Sequence, residues 1–133
     1  MNAWVATELK AVGPTRVGLL ADVCDVFYTE GIDIVAIGAY DKSGMAEFLM
    51  ITSDSELAED KLAGMGMDVT ASQVVCVELA SAPGALKPVA QALAEAGINV
   101  SQIHATTAAG SSTALAVLKV DDPQGVAQMV SGT

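Results

Sequence analysis

Two short stretches could hold a small molecule that carries both charges. Arg16-Val17-Gly18-Leu19 leads into one apolar-periodic run, and Pro83-Gly84-Ala85-Leu86 leads into another. A helix starting at such a glycine leaves its first N–H groups without helical partners and presents its positive dipole end, which suits a carboxylate. Glycine has no side chain to block that approach. Arg16 brings a guanidinium able to clamp the same group, and reads otherwise as a solvated arginine. Asp33 and Asn99 open the strands that follow the two runs, where either side chain could accept from an ammonium. Asp33 suits this less, because its carboxylate repels an acidic ligand. Each residue also has a plainer role: Gly18 and Gly84 as turn formers, Asn99 as a solvated strand-edge residue, Gly31 and Gly97 as helix caps.

The two stretches are copies of one phrase. Gly18 and Gly84 are 66 positions apart, as are Leu20 and Leu86, Val23 and Val89, Gly31 and Gly97, Ile32 and Ile98, and Ile37 and Ile103. A register held through two glycines and the apolar positions between them marks a duplication. The period is too long for a solenoid and fits a repeated mini-domain, here 1–72 and 73–133. The copies differ in that "KAVGPTRVG" gives the first a longer loop, and the second stops at Thr133 before a sixth element.

The chain has 133 residues, of which 52% are hydrophobic, so a dense core is expected. Sixteen acidic against six basic residues give a net charge of −10. That balance repels phosphate backbones and anionic membranes, and aromatics at 4% leave few stacking platforms, so nucleic acid is excluded as a partner. Glycine and acidic residues interrupt every apolar run well short of a membrane span, and no signal peptide is visible; the expectation is a soluble, cytoplasmic protein. Cys24 and Cys76 have no CxxC or histidine neighbour and read as small buried hydrophobes. His104, the only histidine, has no accompanying cysteine or acidic pattern, so neither metal nor catalysis is expected there.

These residues need elements to position them. Ala3–Val12 reads as a strand closed by Gly13-Pro14. In "GLLADVCDVFYTEG", Leu19, Leu20, Val23, Val26 and Phe27 form one helix face ending at Gly31. "IDIVAIGAY" and "MAEFLMIT" make a hairpin about "DKSG". "SDSELAEDKLAGMG" is a short helix with Ser/Asp at its start, and "MDVTASQVVCVEL" is long and extended. The second copy replays the pattern: "ALKPVAQALAEAG" is its helix, with Leu86, Val89, Ala90 and Leu93 on one face. "INVSQIHATT" and "TALAVLKV" are its hairpin, and "DDPQGVAQMV" is a last helix with proline near its first turn.

Strand, "PG-x-L", helix, then "AGIN" entering a strand, found twice, resembles the ACT domain. "APGAL…LAEAGINV" is close to that family's pattern; "VGLL…YTEGIDI" is looser, with Val17 where proline is usual. "AIGAY…AEFLMITSD", "SQVVCVEL" and "IHATT" are similar to stand-alone bacterial tandem-ACT proteins. The resemblance implies an α+β fold of two ferredoxin-like βαββαβ units, antiparallel sheets with helices on one face, the second unit lacking its last strand. It also implies amino acids or related metabolites bound at an interface between units, through the first-loop glycine and the strand-entry Asn: Gly84 and Asn99, or Gly18 and Asp33. An amino acid carries the two charges that the residues suit.

The function expected is therefore a small-molecule-binding regulatory protein, a homodimer that passes its ligand state to a partner enzyme. A ligand-independent dimerisation or docking module is the alternative. No serine elbow, Cys/His constellation or P-loop is present, so neither an enzyme nor a cofactor is expected.

Overall fold

A computed structural model describes all 133 residues. The elements run β1 (Asn2–Pro14), α1 (Leu19–Glu30), β2 (Ile34–Lys42), β3 (Met45–Thr52), α2 (Ser55–Gly64), β4 (Asp68–Ala80), α3 (Lys87–Glu95), β5 (Gln102–Thr106), β6 (Thr113–Lys119) and α4 (Pro123–Ser131). The strands follow the hydrogen-bonded order β2-β3-β1-β4-β6-β5. The repeat is thus visible as two sequences of strand, helix, hairpin and helix, each returned to its sheet by antiparallel pairing.

Two compact units result, Thr7–Ser72 and Met1–Ala6 with Gln73–Thr133. In the first, β2 pairs with β3 from Ile34 opposite Thr52 to Lys42 opposite Met45, and β3 pairs with β1 from Leu9 opposite Met50 to Pro14 opposite Met45. The two-residue β2–β3 loop, Ser43-Gly44, has both φ values positive (54° and 84°), as a type I′ hairpin turn requires. Leu9, Ala11, Val23, Phe27, Met50, Leu62 and neighbours form its core between sheet and helices. The helix face is narrower than its periodicity suggests, for Leu20 stays 54% exposed beside buried Leu19, Val23 and Phe27. β1 also runs on through Gly13-Pro14, pairing both with β3, so the first loop begins two residues later than the glycine-proline pair suggests.

In the second unit β4 pairs with β6, Val75 opposite Leu118 through Ala80 opposite Thr113, and β6 pairs with β5. Val75, Val77, Val89, Leu93, Leu118, Val126 and Val130 form its core. β6 is followed by α4 and no further strand. The place beside β4 belongs to the first residues of β1: Ala3 and Val5 pack on this core, and the Ser131 hydroxyl donates to the Ala3 carbonyl at 3.2 Å. A chain segment far away in sequence therefore completes the sheet.

Two expectations fail, one at a side chain and one at a helix boundary. Cys76 is buried, but Cys24 is exposed, because it lies one position past Val23 on the outward side of α1. α3 starts at Lys87, two residues later than expected, because Ala82–Leu86 is used in turns that precede it. No helix is long and apolar enough to cross a membrane.

Candidate functional site

β4 and β5 are each antiparallel to β6, hence parallel to one another. Their C-terminal ends therefore emerge side by side over the start of β6. There the loop Ser81–Leu86 meets Thr106 and Thr107, and a cavity of about 630 Å³ opens between them. Pro83, Ala85 and Leu86 line it, as the sequence suggests, together with Ser81, Ala105 and Ala114, which the sequence does not mark.

The loop is built by local hydrogen bonds: Ala85 N–H donates to Ala82 O at 3.2 Å and Lys87 N–H to Gly84 O at 3.1 Å. Gly84 holds φ +79°, where a side chain is strained, and a Cβ built there would meet no atom within 4 Å. Open space of this kind is shared with Gly31, Gly44 and Gly97, and Gly84 itself lies between the lining residues Pro83 and Ala85 without lining the cavity. Leu86 caps α3 without a side-chain hydrogen bond, and the first turn holds no acidic residue. The contrast is with α2 and α4, where Leu57 N–H and Gly125 N–H donate to the Asp54 and Asp122 carboxylates, each at 3.1 Å. At α3 the Lys87 N–H is already given to Gly84 O and Pro88 has none, but no carboxylate of the chain takes this end, which leaves its dipole open to a ligand's.

Hydroxyls form the polar part of the wall. Thr107 Oγ1 lies 3.0 Å from Ser81 Oγ and 2.9 Å from the Thr113 carbonyl. A single hydroxyl proton serves only one of these acceptors at a time, so the Ser81–Thr107 pair can turn to donate or accept. None of the lining residues is charged. An adjoining cavity of about 410 Å³ shares Thr106, Thr107 and Ala114 and brings in the carboxylate of Glu78. Asn99 lies beyond the end of α3, exposed and outside both linings.

The equivalent residues of the first unit are differently engaged. Gly18 (φ +86°) precedes α1, which also lacks a side-chain cap. Arg16 is ion-paired with Asp22, 2.6 Å away in the first turn of α1, and both are about half exposed. The guanidinium that could clamp a carboxylate here already holds one from its own helix. Val17 is fully exposed, whereas Leu19 is buried in the core. Asp33 ties β2 to β3 through its backbone, its N–H to Ser53 Oγ at 2.8 Å and its carbonyl to Ser53 N–H at 2.9 Å, leaving its exposed side chain outside those bonds.

No group of three or more His, Cys, Asp or Glu is arranged to hold a metal ion. A smaller apolar cavity of about 270 Å³ lies between α3 and β5, where the second unit has Ala90 and Ala94 in place of the first unit's Cys24 and Tyr28.

Similar solved structures span the chain at low identity. A Bacteroides thetaiotaomicron protein superposes with TM-score 0.86 at 22% identity, covering 99% of this chain and 90% of its own. Aspartokinase alpha and beta subunits give TM-score 0.67 at 16% identity, covering 99% and 96%. The ligand-free regulatory subunit of aspartate kinase from Thermus thermophilus gives 0.65 at 16%, covering 97% and 96%. No family model matches the chain, and no curated protein does. At these identities the likeness is one of fold: six antiparallel strands and four helices arranged as tandem ferredoxin-like, ACT-like units.

Proposed function

We propose that this is a non-catalytic regulatory protein that binds an amino acid or related small metabolite at the loop Ser81–Leu86. The observation that carries the reading is the cavity beside Gly84, open at an α3 start that no side chain of the chain caps. Its volume lies within the range of small-molecule sites. The ligand carboxylate would meet the α3 amides, and its ammonium the hydroxyls of Ser81 and Thr107 or the Glu78 carboxylate beyond them. Pro83, Gly84, Ala85 and Leu86 supply the contact surface, whereas Asn99, beyond the opposite end of α3, stands outside it; Arg16, Val17, Gly18, Leu19 and Asp33 make the weaker, first-unit counterpart.

The regulatory part of the proposal is supported by the fold shared with the aspartate kinase regulatory subunit. Ligand held at this loop would shift the population of an assembly, such as a homodimer, or of a complex with a partner enzyme. A soluble, cytoplasmic setting belongs to the same proposal. A docking module without ligand would favour a loop packed shut at Gly84, and the open cavity speaks for binding instead. Catalysis finds no support in the lining, where hydroxyls face one another with no histidine or carboxylate placed as their base.

The test is a thermal-shift screen of the purified protein against the amino acids and common nucleotides. Ligand at about 100 times its dissociation constant adds roughly 2.7 kcal/mol, a shift of several degrees. A hit that disappears in Gly84→Val, with the variant shown by circular dichroism to be folded, supports the site. Asn99→Ala decides whether the strand-entry amide takes part. Flat melting curves for every compound would replace the sensor by the docking module.

A further inference from the structure

We infer that the cavity at Ser81–Leu86 selects amino acids with an uncharged side chain and rejects those whose side chain is acidic or basic. This rests on the proposed binding function and narrows it to a ligand class. The wall offers Leu79, Leu86 and Pro83, the small surfaces of Ala82, Ala105 and Ala114, and the hydroxyls of Ser81, Thr106 and Thr107. A charged side chain laid against such a wall gives up part of its water and finds no opposite charge among the lining residues, which is a net cost. The hydroxyls pose no such demand. Ser81 and Thr107 stand 3.0 Å apart, and each can donate or accept, so they can satisfy a ligand hydroxyl or amide as well as tolerate an apolar group.

The surroundings reinforce the discrimination against acids. Glu78, in the adjoining cavity, is the charged group nearest along β4; against the single cation beside the lining, exposed Lys87 after Leu86, the whole chain carries −10. An acidic side chain therefore meets repulsion in addition to desolvation. A basic side chain gains Glu78 only by leaving the cavity that would bury its stem.

Calorimetric titration with alanine, serine, threonine, leucine, glutamine, aspartate, glutamate, lysine and arginine tests this, with wild type, Ala105→Leu and Ala105→Asp. Ala105 lines the cavity from β5 and is solvent-exposed, so both substitutions are compatible with the fold. The expected result is that one or more of the uncharged five binds wild type at least about tenfold tighter than any charged one. Ala105→Leu fills the cavity and weakens that ligand at least about tenfold. Ala105→Asp supplies the missing charge and strengthens lysine or arginine relative to wild type. If a charged amino acid binds wild type as tightly as the uncharged ones and is displaced by Ala105→Leu, the selectivity is overturned while the binding site stands. Binding that ignores both Ala105 variants overturns the placement. If none of the nine binds, the amino-acid reading itself falls and takes the selectivity with it.

Discussion

Tyr40 and Glu47 stand opposite each other on β2 and β3, and the phenol donates to the carboxylate. That bond, more than burial or the carboxylate charge, holds the Tyr40 hydroxyl above its ordinary 10.0. The same bond, helped by the charges of Lys10 and Lys42, holds Glu47 below its ordinary 4.5. The carboxylate's contribution to stability is complete above 4.5 and is lost as pH falls through its lower folded value; the phenol's is complete below 10.0 and is lost as pH rises through its higher one. Urea unfolding of wild type and Tyr40→Phe across pH should therefore show the largest difference between those limits and convergence outside both. A constant difference at all pH values would mean that Tyr40 acts by packing alone. Single residues were only partly legible in the sequence. The helix-start glycines stood out because their spacing repeats, whereas the exposure of Cys24 and the Arg16–Asp22 pair depend on rotation about α1 by one position, which apolar periodicity does not resolve.

The helices fall into two kinds by how they begin. α2 and α4 open on Asp54 and Asp122, each accepting from the backbone N–H three residues on, and Asp122 is followed by proline at the first turn. α1 and α3 open after loops with glycine at positive φ and no side-chain cap. Asp54→Ala and Asp122→Ala should each cost about 1 kcal/mol in chemical denaturation, the usual worth of such a cap. Asp122→Ala should also relieve Gly125, where an added Cβ would collide with that carboxylate, so Gly125→Ala is harmful alone and tolerated in the double variant. Finding the two single effects additive would remove Asp122 as the obstacle. The capped starts were readable as Ser/Asp before an apolar-periodic run, and the Ser43-Gly44 hairpin as a turn dipeptide between strands. The exact onset of α3 was not, because the turns of Ala82–Leu86 and a helical first turn make similar demands on sequence.

In the whole molecule, the unit that holds the cavity contains the first six residues of the chain. Val5 packs on its core with Val75, Val126 and Val130, while Leu9 and Ala11 of the same strand pack in the other unit. Val5→Asp would place a charge against that apolar cluster, so amide hydrogen exchange should accelerate first in β4 and α4, and less in α1 and α2. Equal acceleration everywhere would mean that the two units unfold as one. A unit of about 66 residues buries only some 60% of its unfolded surface and has little stability to spare, so losing one strand from it is expected to be felt.

The sequence by itself determined the duplication, the order and type of nearly every element, the helix-start glycines and the absence of a clustered catalytic motif, since all of these are written in local spacing and periodicity. Tertiary structure alone decided that residues near Met1 complete the second sheet, and that Ser81, Ala105, Thr106, Thr107 and Ala114 share one wall. Those residues come together because β4 and β5 run parallel on either side of β6. Strand pairing across tens of residues leaves no period in the chain, and so a cavity built from strand ends becomes visible only when the strands are in register.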